Sequence, residues 1–320
     1  MTFASRLKTS VAAAGRTLAG TALGLGLAAA LVGSPAAWAQ DAAPRVVPQA
    51  AAGSGPALWV VKDADSTIYL FGTVHVLRPT TAWGSPVVDA AFDASDRIYF
   101  EITNPDDQAA AMPLIQQYGL SPQRPLSTLL TAEELARLDE AAKTIGADAA
   151  SLDMLRPWLV ALSLSVAPLT RAGYDANSGV ELVLRARAEA AGKPVLGLET
   201  LDEQIRILAG LPEETQLAFL RETLESYEEA TTVLDGLVDA WAKGDVEGVE
   251  RIGVTDMQTG SPELYATLLT RRNVNWVRQI DGLLDGSGTI FIAVGAAHLA
   301  GDDSVQVLLE REGVTVERVQ

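Results

Sequence analysis

The chain contains two histidines, and both close a run of the same design. Thr67 to His75 reads TIYLFGTVH and Thr289 to His298 reads TIFIAVGAAH. Each is a β-branched, apolar run short enough to be a buried strand, and each ends on Gly-x-x-His. Imidazole titrates near neutrality and is a common ligand of transition metals. Gly72 and Gly295, at the strand exits, let the backbone turn sharply or come close to a bound group.

Two carboxylates occupy comparable places. Glu101 stands in the apolar run Arg97 to Ile102, and Glu199 closes the short run Lys193 to Glu199. Among bulky apolar neighbours, Glu101 either points to solvent on an alternating strand or meets a cation. Glu199 either complements the dipole of the helix that follows it or joins a site. Arg271 and Arg272, with Asn273, lie on a helix, where an Arg pair is ordinarily a solvated face. A set of two imidazoles and up to two carboxylates suits a divalent ion, with zinc, manganese, cobalt and iron not distinguished. Such an ion lowers the pKa of a water and polarises a carbonyl, while a Glu moves the proton and an Arg stabilises the oxyanion. The reaction class is hydrolysis of a peptide or small molecule. The absence of cysteine excludes thiol nucleophiles and disulfides. No His-Glu-x-x-His, Walker loop or Gly-x-Ser-x-Gly occurs after the leader.

The elements that must carry these residues are α/β in pattern. Leu58 to Val61 and Thr67 to Val74 predict a hairpin. Ser85-Pro86 predicts an N-cap and a helix through Ala94, leading to the strand that holds Glu101. Residues 106–171 and 212–260 predict largely helical segments. Ala176 to Ala191 predicts one helix stopped by Gly192, and Thr200 opens another on a capping-box spacing. Ser261-Pro262 predicts a capped helix running towards Leu284, and a further helix is expected to begin near Asp302 before a last strand, Val314 to Val319.

Residues 1–39 have the pattern of a secretory leader: Arg6, Lys8 and Arg16, an apolar run from Leu18 to Val32, and the small-x-small site Ala37-Trp38-Ala39. Cleavage there predicts a periplasmic or secreted protein with no stable membrane span, whereas an uncleaved leader would serve as an anchor. Residues 40–56, rich in Ala, Pro and Gly, read as a tether to a domain at 57–320. The leader holds three of the 24 basic residues and none of the 41 acidic ones. Its removal leaves a net charge of about −20, which repels nucleic acid.

The chain resembles the TraB/GumN family, also called Tiki-like, from about Leu58 to the C-terminus. The resemblance rests on Tyr69 to His75, Tyr99-Phe100-Glu101, Gly192-Lys193-Pro194, Leu198-Glu199-Thr200 with Gln204, Arg272-Asn273, and Val294 to Leu299 with Gly301. It implies an α/β fold of the EreA/ChaN type, a mixed sheet flanked by helices with largely helical insertions. It also implies a metal-dependent protease activity. Carried over, it makes His75 and His298 metal ligands, Glu101 a ligand or general base, and Glu199, Arg272 and Asn273 supporting residues. Ala297 departs from the pattern, where many relatives would carry Gly. The competing expectation is a non-catalytic periplasmic protein that binds a small ligand or assists export.

Overall fold

The computed structural model describes residues 48–320, so the predicted leader and residues 40–47 of the tether lie outside the described residues. Six strands form one mixed sheet: β1 (Leu58–Lys62), β2 (Ser66–Thr73), β3 (Arg97–Phe100), β4 (Val195–Gly197), β5 (Gly288–Gly295) and β6 (Val316–Arg318). Their order is β4-β3-β5-β2-β1-β6. The first four in that order are mutually parallel, while β1 runs antiparallel to β2 and to β6. The hairpin predicted for the start of the domain is β1–β2.

Period-two alternation divides the core between the two faces of the sheet. Phe71, Phe291 and Ala293 enter the larger helical side. Ile68, Leu70, Ile290, Ile292 and Val294 face the smaller one. The paired strands β2 and β5 are therefore apolar on both sides, as central parallel strands must be.

The described helices are α1 (Pro86–Ala94), α2 (Gln108–Tyr118), α3 (Ala132–Lys143), α4 (Ala149–Leu152), α5 (Pro157–Arg171), α6 (Val180–Ala190), α7 (Leu201–Ala209), α8 (Glu213–Glu225), α9 (Ala230–Ala242), α10 (Val246–Gly253), α11 (Thr255–Gly260), α12 (Pro262–Tyr265), α13 (Arg271–Leu284) and α14 (Val305–Arg311). Several start as their sequence predicts. The Ser85 hydroxyl accepts from the N–H groups of Val87 and Val88. Thr131 and Thr200 form reciprocal capping boxes with Glu134 and Glu203. Helix α5, apolar almost all round, is buried along most of its length. The α-helices α2 to α5 follow β3, and α8 to α11 fall between β4 and β5, matching the helical segments expected there.

Three expectations are corrected. The helix expected over Ala176 to Ala191 is broken: Ala176–Ser178 is a short 3-10 turn and α6 starts only at Val180. At the break, a Cβ on Gly179 would fall 2.1 Å from the carbonyl oxygen of His75, so the chain bends to let two backbones touch. The helix expected from Pro262 to Leu284 is interrupted by a π-turn at Ala266–Thr270. Ser261 makes no capping bond; its hydroxyl donates to Glu222 instead. Finally, His298 lies in a 3-10 turn, Ala296–Leu299, and the next helix begins at Val305.

Candidate active site

The parallel register decides the site. Gly72 pairs with Val294 and Thr73 with Gly295, so the two Gly-x-x-His segments lie side by side. The packing there is close, since a Cβ on Gly72 would stand 3.1 Å from Ala296 Cα. His75, Glu101, Glu199 and His298 follow the carboxyl ends of β2, β3, β4 and β5, the edge where open parallel sheets form their crevices. They converge. His75 Nε2 lies 3.9 Å from Glu101 Oε1, and His298 Nε2 lies 3.8 Å from the same oxygen.

Arg272 reaches this cluster from the first turn of α13. Its Nη2 donates to Glu101 Oε2 at 2.6 Å and to Glu199 Oε2 at 2.9 Å, and its Nε donates to Glu199 Oε1 at 2.9 Å. Its Nη1 lies 3.1 Å from His298 Nε2. Arg271 is exposed, yet Arg272 and Asn273 are buried, so the solvated face expected of an Arg pair holds for one of the two. The π-turn immediately before α13 shifts the helical phase where Arg272 enters the site, a placement such turns often have. Trp276, one turn further along, donates to Glu199 Oε1 at 3.1 Å and packs against the His298 ring, with centroids 4.3 Å apart.

Glu101 therefore takes the second of its two expected fates. It is buried among apolar neighbours and meets a cation. Its Oε1 also accepts from the Gly295 N–H at 2.8 Å, and its Oε2 accepts from Gln204 Nε2 at 3.0 Å. Burial raises the pKa of Glu199, with Arg272 opposing the shift. Burial also works against the charge on Arg272, but Glu101 and Glu199 outweigh it and raise its pKa.

Each imidazole has one nitrogen committed to an acceptor. Asn273 donates its Nδ2 to the Asp303 carbonyl at 2.7 Å, which leaves Oδ1 facing His298 Nδ1 at 2.5 Å. Nδ1 of His298 is thus the donor, and its Nε2 carries the lone pair. His75 Nδ1 lies 2.7 Å from Glu181 Oε1. Burial opposes charge on the His75 ring, but Glu181, and then Glu101, overcome it and push its pKa up to about 9. His75 Nε2 is buried and has no hydrogen-bond partner. A small pocket of about 20 Å³, room for about one water, opens beside it, with His75, Glu101 and Glu181 on the polar side and Phe100, Ile102 and Leu182 on the apolar side.

Sequence reasoning missed Glu181. One signal was available: Glu181, Leu184 and Ala188 share the buried stripe of α6, and an acid on such a stripe needs a partner. Ala297, the departure from the family pattern, is buried in the larger core.

The donor set meets part of what a divalent ion requires. Two imidazoles that present Nε2 to one carboxylate oxygen, each with Nδ1 held by an acceptor, have the chemistry of ion ligands. The partnerless Nε2 of His75 fits that role. Against it, the guanidinium occupies Glu199, one oxygen of Glu101 and the lone-pair side of His298 Nε2. Among the described residues, no group of three or more His, Cys, Asp or Glu stands ready to hold a metal. The fit is therefore chemical, with His75, Glu101 and His298 as candidates and Glu199 serving as a partner of Arg272.

The fold and this strand-end constellation define a mixed α/β protein with a buried histidine–carboxylate–arginine centre. The TraB/PrgY/gumN family description matches residues 57–318, and the chain belongs to that family. A relative from Treponema pallidum, named only as an uncharacterized protein, is 22% identical over 260 residues, covering 77% of this chain and 78% of its own. The uncharacterized protein YbaP of Escherichia coli is 26% identical over 184 residues, or 58% of this chain and 67% of its own. Metalloprotease TIKI2 of Danio rerio is 26% identical over 318 residues, covering 81% of this chain and 60% of its own. No solved structure matches.

Proposed function

We propose that the chain is an exported metal-dependent hydrolase, most specifically a peptidase, acting at the cluster formed by His75, Glu101, His298 and Arg272. One observation carries the reading: two imidazole Nε2 atoms from opposite ends of the chain face a single oxygen of a buried glutamate, at 3.9 and 3.8 Å. The name of the TIKI2 relative, a metalloprotease, supports the class. A divalent ion held by His75, His298 and Glu101 would supply a water of lowered pKa and a polarised carbonyl. His75 lines the pocket with a nitrogen able to hold a proton, and Glu101 is fixed in place by the Gly295 amide, Gln204 and Arg272. Arg272 balances the two glutamates in a dry setting, where an uncompensated carboxylate would be costly. The leader-like residues 1–39 support export to the periplasm or beyond.

Arg272 also favours a second reading, because its guanidinium closes over Glu101 and Glu199. In that reading the pocket binds a small ligand without turnover. The deciding experiment measures metal content, ion-induced stabilisation and hydrolysis of a peptide library for the wild type, His75→Ala and His298→Ala. The hydrolase reading expects both substitutions to lower ion binding and abolish cleavage. It is lost if neither changes metal content or stabilisation. Ligand-dependent stabilisation with no cleavage would establish the binding protein.

A further inference from the structure

The buried carboxylate of Glu181 belongs to neither Gly-x-x-His segment, yet the fold places it against the first of them with unusual care. The chain leaving β2 and the chain entering α6 are clamped together on both sides of His75. Val180 donates its N–H to the Val74 carbonyl at 3.1 Å, and Leu77 and Asp175 exchange backbone bonds at 3.3 and 2.9 Å. Between these clamps Gly179 packs against the His75 carbonyl, where any side chain would collide. A continuous helix through Gly179 would forfeit this approach. The break in the predicted helix therefore has a product: it brings the first turn of α6 within reach of an imidazole.

Two donors meet on one oxygen of that carboxylate. Glu181 Oε1 accepts from His75 Nδ1 at 2.7 Å and from the hydroxyl of Thr73, the last residue of β2. Thr73 is fully buried, and His75 and Glu181 are nearly so. Water has little access with which to replace either bond. The opposite ring nitrogen, His75 Nε2, has no partner and faces Glu101 beside the pocket.

We infer that Glu181 is the positioning residue of this site. It commits His75 Nδ1 to donating, so that Nε2 is the atom left to take a proton or a divalent ion, and Gly179 is glycine so that Glu181 can reach. Outer carboxylates of this kind fix ring orientation and tautomer, and losing one costs ion affinity by about 10- to 100-fold. The assignment of ion binding rests on the function proposed above. The tautomer does not.

The test uses 15N-labelled histidine in the whole protein, read by ring-nitrogen chemical shifts on the neutral rings at alkaline pH. The chain has two histidines, so His298→Gln assigns the signals. Wild type is expected to hold His75 as the Nδ1–H form. Glu181→Ala is expected to shift it towards the Nε2–H form that histidine favours in water. Glu181→Gln, whose carbonyl oxygen can still accept, restores the Nδ1–H form. If Glu181→Ala does not fold, Glu181→Met, which fills a similar length, is read in the same way. Zinc or manganese titration followed by thermal shift is expected to weaken by about 10- to 100-fold in Glu181→Ala or Glu181→Met. Retention of the Nδ1–H form without the carboxylate overturns the inference. A wild type that binds neither ion while its tautomer changes as expected would overturn the hydrolase reading and leave the positioning role standing.

Discussion

Three residues along the chain from His75, Arg78 forms a second charged cluster with the same chemistry in different surroundings. Its Nη1 lies 2.5 Å from Asp235 Oδ1, the Tyr174 hydroxyl donates to the same oxygen at 2.6 Å, and the guanidinium sits 4.3 Å from the Tyr174 ring centroid. Each cluster pairs a guanidinium with a carboxylate, Arg78 with Asp235 on α9 and Arg272 on α13 with Glu101 just beyond β3. They differ in solvation. The Arg78 and Asp235 side chains are 36% and 44% exposed, against 3% and 2% for Arg272 and Glu101. Water can replace a lost partner at the first pair and cannot at the second. The lesson is that burial, more than residue type, makes a charged cluster consequential.

The largest test of this contrast is Arg272→Met. It leaves Glu101 and Glu199 buried without their cation, and urea unfolding is expected to show a loss of about 3–5 kcal/mol. A loss no greater than that of an exposed pair would break the comparison. The same substitution should abolish any hydrolysis.

A smaller effect is expected from pH. The His75 pKa is raised from 6.5 to about 9, so its charged form contributes stability that is fully present below pH 6.5 and lost as pH rises through about 9. Glu222 acts at lower pH. Burial pushes its pKa from 4.5 to about 7, with the Ser261 hydroxyl opposing, so its ionisation costs stability across that interval. Between about pH 4.5 and 9, urea midpoints of the metal-free protein should therefore fall as pH rises. His75→Gln should flatten the part of the decline above pH 6.5. An unchanged slope would show that the buried ring does not carry the charge assigned to it.

The smallest effect belongs to Arg78→Ala. Exposed pairs contribute about 0–1 kcal/mol, and no change in ion binding or cleavage is expected. A loss as large as that of Arg272→Met would erase the distinction between the two clusters.

Much of the scaffold was legible because its signals are local. The hairpin, the caps at Ser85 and Thr200 and the glycine stop at Gly192 each depend on a few neighbouring residues. Where local signals failed, a distant contact had overridden them. Gly179 breaks a helix to meet the His75 carbonyl, and Ser261 gives its hydroxyl to Glu222 instead of its own helix.

The same division runs through the site. The amino-acid sequence alone determined which side chains stand at strand ends, because strand periodicity and the Gly-x-x-His spacing are written in consecutive residues. It left open whether Glu101 meets water or a cation and whether Arg272 is solvated. Only the tertiary structure decided that β2 and β5 pair in parallel, bringing His75 and His298 to one oxygen, and that Glu181 stands behind His75. Those outcomes depend on strand order and on where a broken helix docks, and both are set by packing between segments that are remote in the chain.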